Sequence, residues 1–338
     1  MMKSIICQEP YIFKMTNSEK TECHPGEALV RIKRIGICGT DLHAFRGNQP
    51  FFTYPRILGH ELSGIVEKVN SDNSEIKVGD QVTVLPYLEC GKCIACRSGK
   101  TNCCSTLSVL GVHEDGGMRE YISVPVDHVI KTNNLTLDEA SMIEPLSIGA
   151  HAVRRASLRK GEKVLVIGAG PIGLAVMSFA ILEGATVVAM DINEERLKFC
   201  LSSIGVFDSI VPNEESITKL REMFNGELPE TVFEATGNVH SMNSSFQYPE
   251  QGGKLVFVGL VNDQITFSDP EFHRKELTLL SSRNATKDDF YYVKQSLENR
   301  KININEFITH RCTFENLPST FSDWLKPESK VIKAVVEL

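Results

Sequence analysis

The sequence has no long apolar run and no excess of positive charge. No apolar stretch reaches the about 18 residues of a membrane-spanning helix, and the net charge is −7. Proteins that bind a nucleic-acid backbone usually present a basic face. We therefore expect neither a membrane nor a nucleic acid among the partners of this protein.

The sequence also begins without the pattern of a secretory signal. Its first residues, MMKSIICQEPYIFK, contain neither a long apolar core nor a small-residue cleavage site. We therefore expect a cytoplasmic protein. Because cysteines stay reduced in that compartment, a dense cysteine cluster there predicts a metal site more often than a disulfide framework.

The length of the chain and the change in its residue pattern predict two domains. The chain has 338 residues, of which 42% are hydrophobic, and domains usually contain about 100–200 residues. Residues 1 to about 145 alternate short β-like runs, such as EALVRIKRIGICG and YISVPV, with turns rich in glycine and proline. This texture predicts a β-rich domain with long loops.

A different pattern starts near residue 160. Near-continuous apolar strands alternate with amphipathic helical stretches, which predicts an α/β domain with a doubly wound parallel sheet. The predicted strands are 163–168, 186–191, 209–212, 231–236, 254–260 and 277–282. The chain ends in the β-like run VIKAVVEL, which we expect to rejoin the first domain.

The cysteines concentrate in the stretch CGKCIACRSGKTNCC. Cys90, Cys93, Cys96 and Cys104 have the spacing C-x2-C-x2-C-x7-C, and zinc binds four thiolates at about 2.3 Å. Cys103 is the alternative to Cys104 as the fourth ligand. Because four cysteines leave no position for water or substrate, we predict a structural zinc site here and a reactive centre elsewhere.

The stretch VLVIGAGPIG carries the motif G-x-G-x-x-G at Gly168, Gly170 and Gly173, between a predicted strand and a predicted helix. In this context the glycines allow a tight turn, the approach of a pyrophosphate to the backbone, and close helix–strand packing. Asp191 ends the next strand, where a carboxylate binds the ribose hydroxyls and repels a 2′-phosphate. We therefore expect NAD as the cofactor, with Arg196 beside the adenosine.

Three short stretches of the first domain supply side chains that bind metals or carry protons. These are Cys38, Thr40, Asp41 and His43 in GICGTDLH, His60 and Glu61 in GHE, and Glu144 in MIEPL. A catalytic zinc takes about three protein ligands and keeps one position open. Each residue alone is unremarkable, but together with a dinucleotide-binding domain they indicate a catalytic zinc site.

These motifs, in this order, resemble those of the zinc-dependent medium-chain alcohol dehydrogenases over essentially the whole chain. The resemblance implies a GroES-like catalytic domain at 1–147 and 286–338, with the zinc lobe at about 88–106. It implies a Rossmann NAD-binding domain at 148–285. It also implies two zinc ions per chain and a homodimer or homotetramer.

The resemblance further implies roles for individual residues. Cys38 and His60 are then ligands of the catalytic zinc, and Glu61 and Glu144 complete or exchange in its shell. Glu144 stands where alcohol-type members have a cysteine. In this respect the chain resembles the sorbitol and sugar dehydrogenase branch. Which of the two carboxylates binds the zinc directly stays open. Thr40 and His43 are expected to carry the proton away from the substrate. Further expected NAD contacts are Pro171, Ile172, Gly237, Val258, Gly259 and Leu260.

Three stretches look unusually close to bacterial L-galactonate and L-gulonate 5-dehydrogenases: GNQPFFTYPRILGHE, AHAVRRA and SDPEFHRKELTLLSSRNAT. Such enzymes oxidise the C5 hydroxyl of a hexonate to a 5-keto sugar acid. A hexonate carboxylate needs a cation or a set of donors. Candidates are Arg46, His113, Arg283 and Asn284, each of which could instead form an ordinary salt bridge or surface contact.

Three alternatives remain. A polyol dehydrogenase of the sorbitol or xylitol type needs no cation for its substrate. An L-threonine 3-dehydrogenase needs an acidic partner for the ammonium group. A zinc-ribbon protein that binds nucleic acid, with the Rossmann domain as a redox sensor, is disfavoured by the acidic composition and the full catalytic set.

Overall fold

The computed structural model describes residues 1–49, 52–72 and 74–338. Two residues of the stretch GNQPFFTYPRILGHE, Pro50 and Phe51, lie outside this description. The chain forms two compact units, a first unit of Met1–Pro145 with Thr286–Leu338 and a second unit of Leu146–Ala285. The sequence boundary after residue 147 lies two residues beyond the first of these divisions. In the described ranges, no helix has the length and apolarity needed to cross a membrane.

The strands and helices follow one another as short elements. The strands are β1 (Met2–Glu9), β2 (Ile12–Ser18), β3 (Glu27–Ile37), β4 (Glu61–Val69), β5 (Gln81–Val84), β6 (Tyr87–Leu88), β7 (Ser108–Val109), β8 (Tyr121–Pro125), β9 (Val129–Lys131), β10 (Lys163–Ile167), β11 (Thr186–Met190), β12 (Asp208–Ile210), β13 (Thr231–Glu234), β14 (Lys254–Phe257), β15 (Thr278–Ser281), β16 (Ile308–Thr313) and β17 (Lys333–Glu337). The helices are α1 (Gly39–Arg46), α2 (Ile94–Arg97), α3 (Leu137–Ser141), α4 (Ile143–Ala156), α5 (Pro171–Leu182), α6 (Glu194–Phe199), α7 (Ser216–Met223), α8 (Val239–Ser244), α9 (Asp269–Arg274), α10 (Lys287–Glu298) and α11 (Leu317–Thr320).

The long strand β3 is central to the sheet of the first unit. The strand order is β16-β17-β3-β4-β5-β9, and β8 also pairs with β3. Val30, Ile32 and Ile35 of β3 are buried in the hydrophobic core of this unit. The C-terminal strand β17 pairs antiparallel with β3, so that Ala334 lies opposite Ile37. The end of the chain is therefore part of the same sheet as β3, β4 and β5.

The second unit contains one parallel sheet of six strands in the order β12-β11-β10-β13-β14-β15. All six strands predicted from the sequence are present, and the predicted α/β fold with a doubly wound sheet is confirmed. The strand order reverses between β10 and β13, which both pair with a parallel neighbour on each side. In open parallel sheets, ligands bind beyond the carboxyl ends of the strands at such a reversal.

A cluster of charged side chains connects α3 to strands β3 and β16 in the sheet of the first unit. Asp138 accepts hydrogen bonds from Arg34 Nε at 2.8 Å and from Arg311 Nη2 at 2.5 Å. Arg311 also binds Glu337 at 2.8 Å. Burial raises the pKa of Asp138, but the bonds from Arg311 and Arg34 outweigh it and hold that pKa below its ordinary value.

We expect Asp138→Asn to lower the free energy of unfolding by about 1–2 kcal/mol at pH 7, because the amide keeps one acceptor oxygen without the negative charge, so one hydrogen bond is lost and the other is weakened. A carboxylate with a lowered folded-state pKa stabilises the protein above its unfolded-state pKa of about 3.9. The difference between the two proteins should therefore shrink as the pH falls below about 4. Urea unfolding between pH 3 and 8 measures it.

Asp323→Asn is the matched control, because Asp323 pairs with Lys326 at the exposed surface. Its effect on the same unfolding curve should stay below about 0.5 kcal/mol. A loss in Asp138→Asn that is no larger than this, or that does not change with pH, would show that the cluster does not stabilise the fold.

Candidate active site and metal lobe

The four cysteines predicted as a zinc site are brought together by a small lobe between β6 and β7. The sulfur atoms of Cys90, Cys93, Cys96 and Cys104 all lie within 4.8 Å of one another. Cys104 is buried, whereas Cys103 is exposed and stands outside the group. The geometry therefore favours Cys104 over Cys103 as the fourth ligand.

Backbone N–H groups of the lobe point at its sulfur atoms. Cys96 N donates to Cys93 Sγ at 3.5 Å, and Cys90 N donates to Cys104 Sγ at 3.3 Å. Backbone hydrogen bonds from Cys96 and Ser105 lower the pKa of Cys93 to about 5. Because thiolates are the form that binds metal, this donor set fits a zinc ion with four sulfur ligands.

The second group of ligating atoms lies where β3, α1 and β4 meet. Cys38 is the residue before α1, His60 precedes β4, and Glu61 is the first residue of β4. The Sγ of Cys38, a ring nitrogen of His60 and a carboxylate oxygen of Glu61 lie within 4.8 Å of one another. Three side chains predicted as catalytic ligands therefore share one site, which we call the catalytic cluster.

Asp41 fixes the two loops that carry this cluster. Its Oδ2 accepts a hydrogen bond from Cys38 N at 2.9 Å, and its Oδ1 accepts one from Gly59 N at 3.1 Å. The same Oδ1 lies 4.0 Å from His60 Nδ1. Asp41 is fully buried, so it serves as an internal brace that orients the thiol and the imidazole toward a common point.

Glu61 occupies a space that exists because residue 36 is glycine. A Cβ atom at Gly36, its partner on β3, would lie 2.1 Å from Glu61 Oε2. The buried Lys333 on β17 binds both carboxylate oxygens of Glu61, at 2.6 and 2.7 Å, and also donates to the carbonyl of Ile37 at 3.1 Å. Burial lowers the pKa of Lys333, but the Glu61 charge outweighs it and keeps that pKa raised.

Glu144 lies beside the catalytic cluster without being one of the three atoms grouped there. It is buried in the first turn of α4, and its Oε1 accepts a hydrogen bond from the hydroxyl of Tyr87. Burial raises the pKa of Glu144 to about 7. Of the two carboxylates expected in the shell of the catalytic zinc, Glu61 is thus grouped with Cys38 and His60, whereas Glu144 is held next to this group by a tyrosine.

The electrostatics of the cluster favour a positive charge at its centre. Burial lowers the pKa of His60, but the neighbouring charges of Cys38 and Asp41 outweigh it, so that pKa stays well above its ordinary value. The buried Nδ1 atom of His60 has no hydrogen-bond partner among the described residues. A half-buried thiol, a buried imidazole and a buried carboxylate around one point form a donor set that suits zinc, whose binding displaces the protons of its ligands.

The proposed proton carriers lie on α1, directly after Cys38. Thr40 is half-buried and His43 is exposed. Three residues apart on a helix, they face the same side. Desolvation of the imidazole and the charge of Arg46 lower the pKa of His43 below its ordinary value, which favours the neutral ring at pH 7.

The glycine motif of the second unit forms the expected strand–turn–helix. Gly168 follows β10 with a φ of 101°, and α5 begins at Pro171, with Ile172 in its first turn. A Cβ atom at Gly173 would lie 1.7 Å from the carbonyl oxygen of Gly168, so only glycine fits there. Gly170 precedes the helix and leaves its N-terminus open to an anion.

The other residues expected to contact NAD lie at the carboxyl ends of the neighbouring strands. Asp191 follows β11, and its Oδ2 accepts a hydrogen bond from Ala169 N of the glycine turn at 2.6 Å. Arg196 lies in α6, two residues after its start. The remaining four follow β13 and β14: Gly237, Val258, Gly259 and Leu260. All these residues lie beyond the carboxyl ends of the strands, next to the point where the strand order reverses.

The four candidates for a substrate carboxylate are divided between the two units. Arg46 donates to the carbonyl of Leu325 at 2.9 Å, and His113 Nδ1 accepts a hydrogen bond from Val109 N at 3.0 Å. Both belong to the first unit, whereas Arg283 and Asn284 belong to the second. Asn284 has a φ of 51°, an uncommon left-handed conformation for a residue other than glycine.

Sequence reasoning missed several residues that shape these sites. Lys333, Tyr87 and Gly36 gave no local signal, except that Lys333 is a single charge within the apolar run VIKAVV. In the second unit, the buried Glu234 ends β13 and accepts hydrogen bonds from Thr236 N at 3.2 Å and Ser241 Oγ at 2.8 Å. It thereby orders the loop that contains Gly237.

Known proteins share both halves of this architecture. Residues 24–134 match the family "Alcohol dehydrogenase GroES-like domain", and residues 171–299 match the family "Zinc-binding dehydrogenase". The chain is 44% identical over 336 residues to the L-galactonate-5-dehydrogenase of Escherichia coli strain K12, which covers 99% of this chain and 98% of that protein.

Solved structures agree with this assignment. The short chain alcohol dehydrogenase (rspB) from E. coli CFT073, complexed with cofactor NADH, has a TM-score of 0.93 at 29% identity and covers 100% of this chain and 99% of its own. Galactitol-1-phosphate dehydrogenase from E. coli has a TM-score of 0.92 at 27% identity and covers 100% of both chains. The resemblance inferred from the motifs is confirmed, and the chain belongs to the zinc-binding alcohol dehydrogenase family with a GroES-like domain.

Proposed function

We propose that this protein is a zinc- and NAD-dependent dehydrogenase that oxidises the C5 hydroxyl of L-galactonate or L-gulonate to the 5-keto hexonate. The 44% identity to an L-galactonate-5-dehydrogenase over 99% of the chain carries this proposal. The catalytic cluster of Cys38, His60 and Glu61 supports the reaction class. The balanced reaction converts a secondary alcohol and NAD⁺ into a ketone, NADH and a proton.

The residues of the first unit bind and orient the metal. Cys38, His60 and a carboxylate would hold the catalytic zinc, and the four lobe cysteines would hold a structural one. When bound, the catalytic zinc acts as a Lewis acid that lowers the pKa of the substrate hydroxyl, as it lowers that of water to about 7. Asp41 keeps the thiolate and the imidazole in position through its bonds to both loops.

The residues of the second unit bind the cofactor, which accepts the hydride. The N-terminus of α5 receives the pyrophosphate, and Asp191 receives the adenosine ribose. A carboxylate at this position repels a 2′-phosphate, which favours NAD over NADP. Glu234 orders the turn at Gly237 by accepting hydrogen bonds from Thr236 N and Ser241 Oγ.

The proton of the substrate hydroxyl leaves through the side chains of α1. Thr40 Oγ accepts it and passes it toward His43, whose exposed imidazole releases it to solvent. The lowered pKa of His43 suits this role, because only the neutral imidazole accepts a proton.

The first measurement is NADH formation at 340 nm with zinc-loaded protein, NAD⁺ and a panel of L-galactonate, L-gulonate, L-idonate, sorbitol, xylitol, galactitol and L-threonine. We expect a hexonate to exceed every neutral polyol and threonine by about 100-fold in kcat/KM, equal to about 2.7 kcal/mol of transition-state stabilisation. A neutral polyol or threonine as the best substrate would overturn the substrate assignment.

If a hexonate is preferred, Arg46, His113, Arg283 and Asn284 are replaced in turn. A residue that binds the carboxylate should raise KM for the hexonate about 10-fold or more when replaced by glutamine or alanine, with KM for NAD⁺ unchanged. Arg274→Gln is the control, since Arg274 pairs with Glu271 at the exposed surface. Equal effects of Arg274→Gln and the four substitutions would argue against a carboxylate pocket at these positions.

For the proton route, we expect His43→Gln to lower kcat about 10- to 100-fold at pH 7. In the native protein, kcat should decline as the pH falls through the pKa of His43, which lies below its ordinary value of about 6.5, since the protonated ring cannot accept a proton. The variant should lack this decline. Steady-state pH profiles measure both effects, and the exposed His24→Gln is the control. A His43→Gln profile that matches the native one would remove His43 from the route.

A further inference from the structure

Tyr87 joins the metal lobe to the carboxylate beside the catalytic cluster. It is 4% exposed, and its hydroxyl donates to Glu144 Oε1. Its ring packs edge-on against Phe290, with ring centroids 6.2 Å apart and planes at 86°. A buried tyrosine held on its ring by an aromatic side chain and on its hydroxyl by a carboxylate has little rotational freedom.

The backbone of Tyr87 is fixed by the base of the lobe. β6, which is Tyr87–Leu88, pairs antiparallel with β7, so that Tyr87 lies opposite Val109. The lobe cysteines begin two residues after β6 and end four residues before β7. A metal that closes the lobe therefore holds the β6–β7 pair together at its base.

A second contact supports the same strand. The ring nitrogen Nε2 of His128 lies 3.2 Å from the carbonyl oxygen of Tyr87 and 3.1 Å from Glu89 Oε2. Leu110 N also donates to the carbonyl of Pro86 at 3.1 Å. The backbone on both sides of Tyr87 is therefore braced, which makes its hydroxyl a fixed point for Glu144.

The two carboxylates near the catalytic cluster are held by different means. Lys333 binds both oxygens of Glu61, whereas Tyr87 binds a single oxygen of Glu144. The tyrosine thus fixes the direction of the Glu144 carboxylate through Oε1, and the second oxygen, Oε2, takes no part in this hydrogen bond.

We propose that Tyr87 is a positioning residue that holds the Glu144 carboxylate toward the catalytic metal. We also propose that a metal ion in the four-cysteine lobe, by fixing the β6–β7 pair, fixes Tyr87 and through it the position of this carboxylate. This inference rests on the proposed function for the presence of a catalytic zinc, but not on the identity of the substrate. Partners of metal ligands typically contribute about 10- to 100-fold to metal affinity or activity.

The test measures the affinity of the catalytic zinc by competition with a chromophoric chelator, in the absence of substrate. Tyr87→Phe keeps the ring contact with Phe290 and removes the hydroxyl. We expect its catalytic zinc to bind about 10-fold more weakly, while one zinc per chain stays in the lobe and the midpoint of thermal unfolding stays close to native. Tyr248→Phe is the matched control, because Tyr248 is a buried tyrosine in the core of the second unit.

A double-mutant cycle decides whether Tyr87 acts through Glu144. In a Glu144→Ala background, Tyr87→Phe should change the zinc affinity by less than about 2-fold, because the group it positions is gone. Glu144→Leu, which also has no acceptor for the Tyr87 hydroxyl, replaces the alanine variant if the latter is not isolated in folded form. An equal loss of affinity in both backgrounds, or a Tyr87→Phe affinity within 2-fold of native, would overturn the positioning role.

A lobe variant tests the second half of the inference. Cys96→Ser should release the lobe zinc and weaken the catalytic zinc about 5-fold or more in the native background, and by less in the Tyr87→Phe background. Equal weakening in both backgrounds would show that the lobe acts through another contact. Because zinc affinity is measured without substrate, a failure of the hexonate assay would overturn the proposed substrate and leave this result intact.

Discussion

The buried ion pair of Glu61 and Lys333 is the constraint on which the first unit depends. The two residues are 272 positions apart in the chain, yet both oxygens of the carboxylate bind one ammonium group. Removing one partner of such a pair leaves an uncompensated buried charge, at a cost of about 3–5 kcal/mol. The C-terminal strand must therefore lie beside β3, and this pairing sets the position of the glutamate next to Cys38 and His60.

The two metal-binding groups differ in how their ligands reach one point. The four cysteines come from one short segment, and backbone N–H groups orient their sulfurs. The catalytic cluster instead needs a helix start, a strand start and a brace from Asp41 between them. A closed set of four sulfurs suits a structural ion, and a mixed set with a neighbouring carboxylate suits a reactive one.

The second unit combines a common sheet with a few residues that make it specific. The reversal of strand order and the glycine turn provide a site for any dinucleotide. We propose that Asp191, whose carboxylate lies at the end of β11, then selects NAD over NADP. The buried Glu234 shapes the neighbouring loop from within, which shows that the edge of the sheet is built by side-chain hydrogen bonds as well as by glycines.

The sequence alone determined the two-part fold, the cysteine lobe and the dinucleotide motif, because their key residues are close together along the chain and their spacing encodes the local geometry. It also supplied Cys38, His60, Glu61 and Glu144 as candidates, but it left the roles of the two glutamates open. Only the tertiary structure decided their surroundings, because Gly36, Lys333 and Tyr87 approach them through strand pairing and packing between segments far apart in the chain. Such contacts leave no periodic or short-range pattern in a sequence, since they depend on which strands become neighbours.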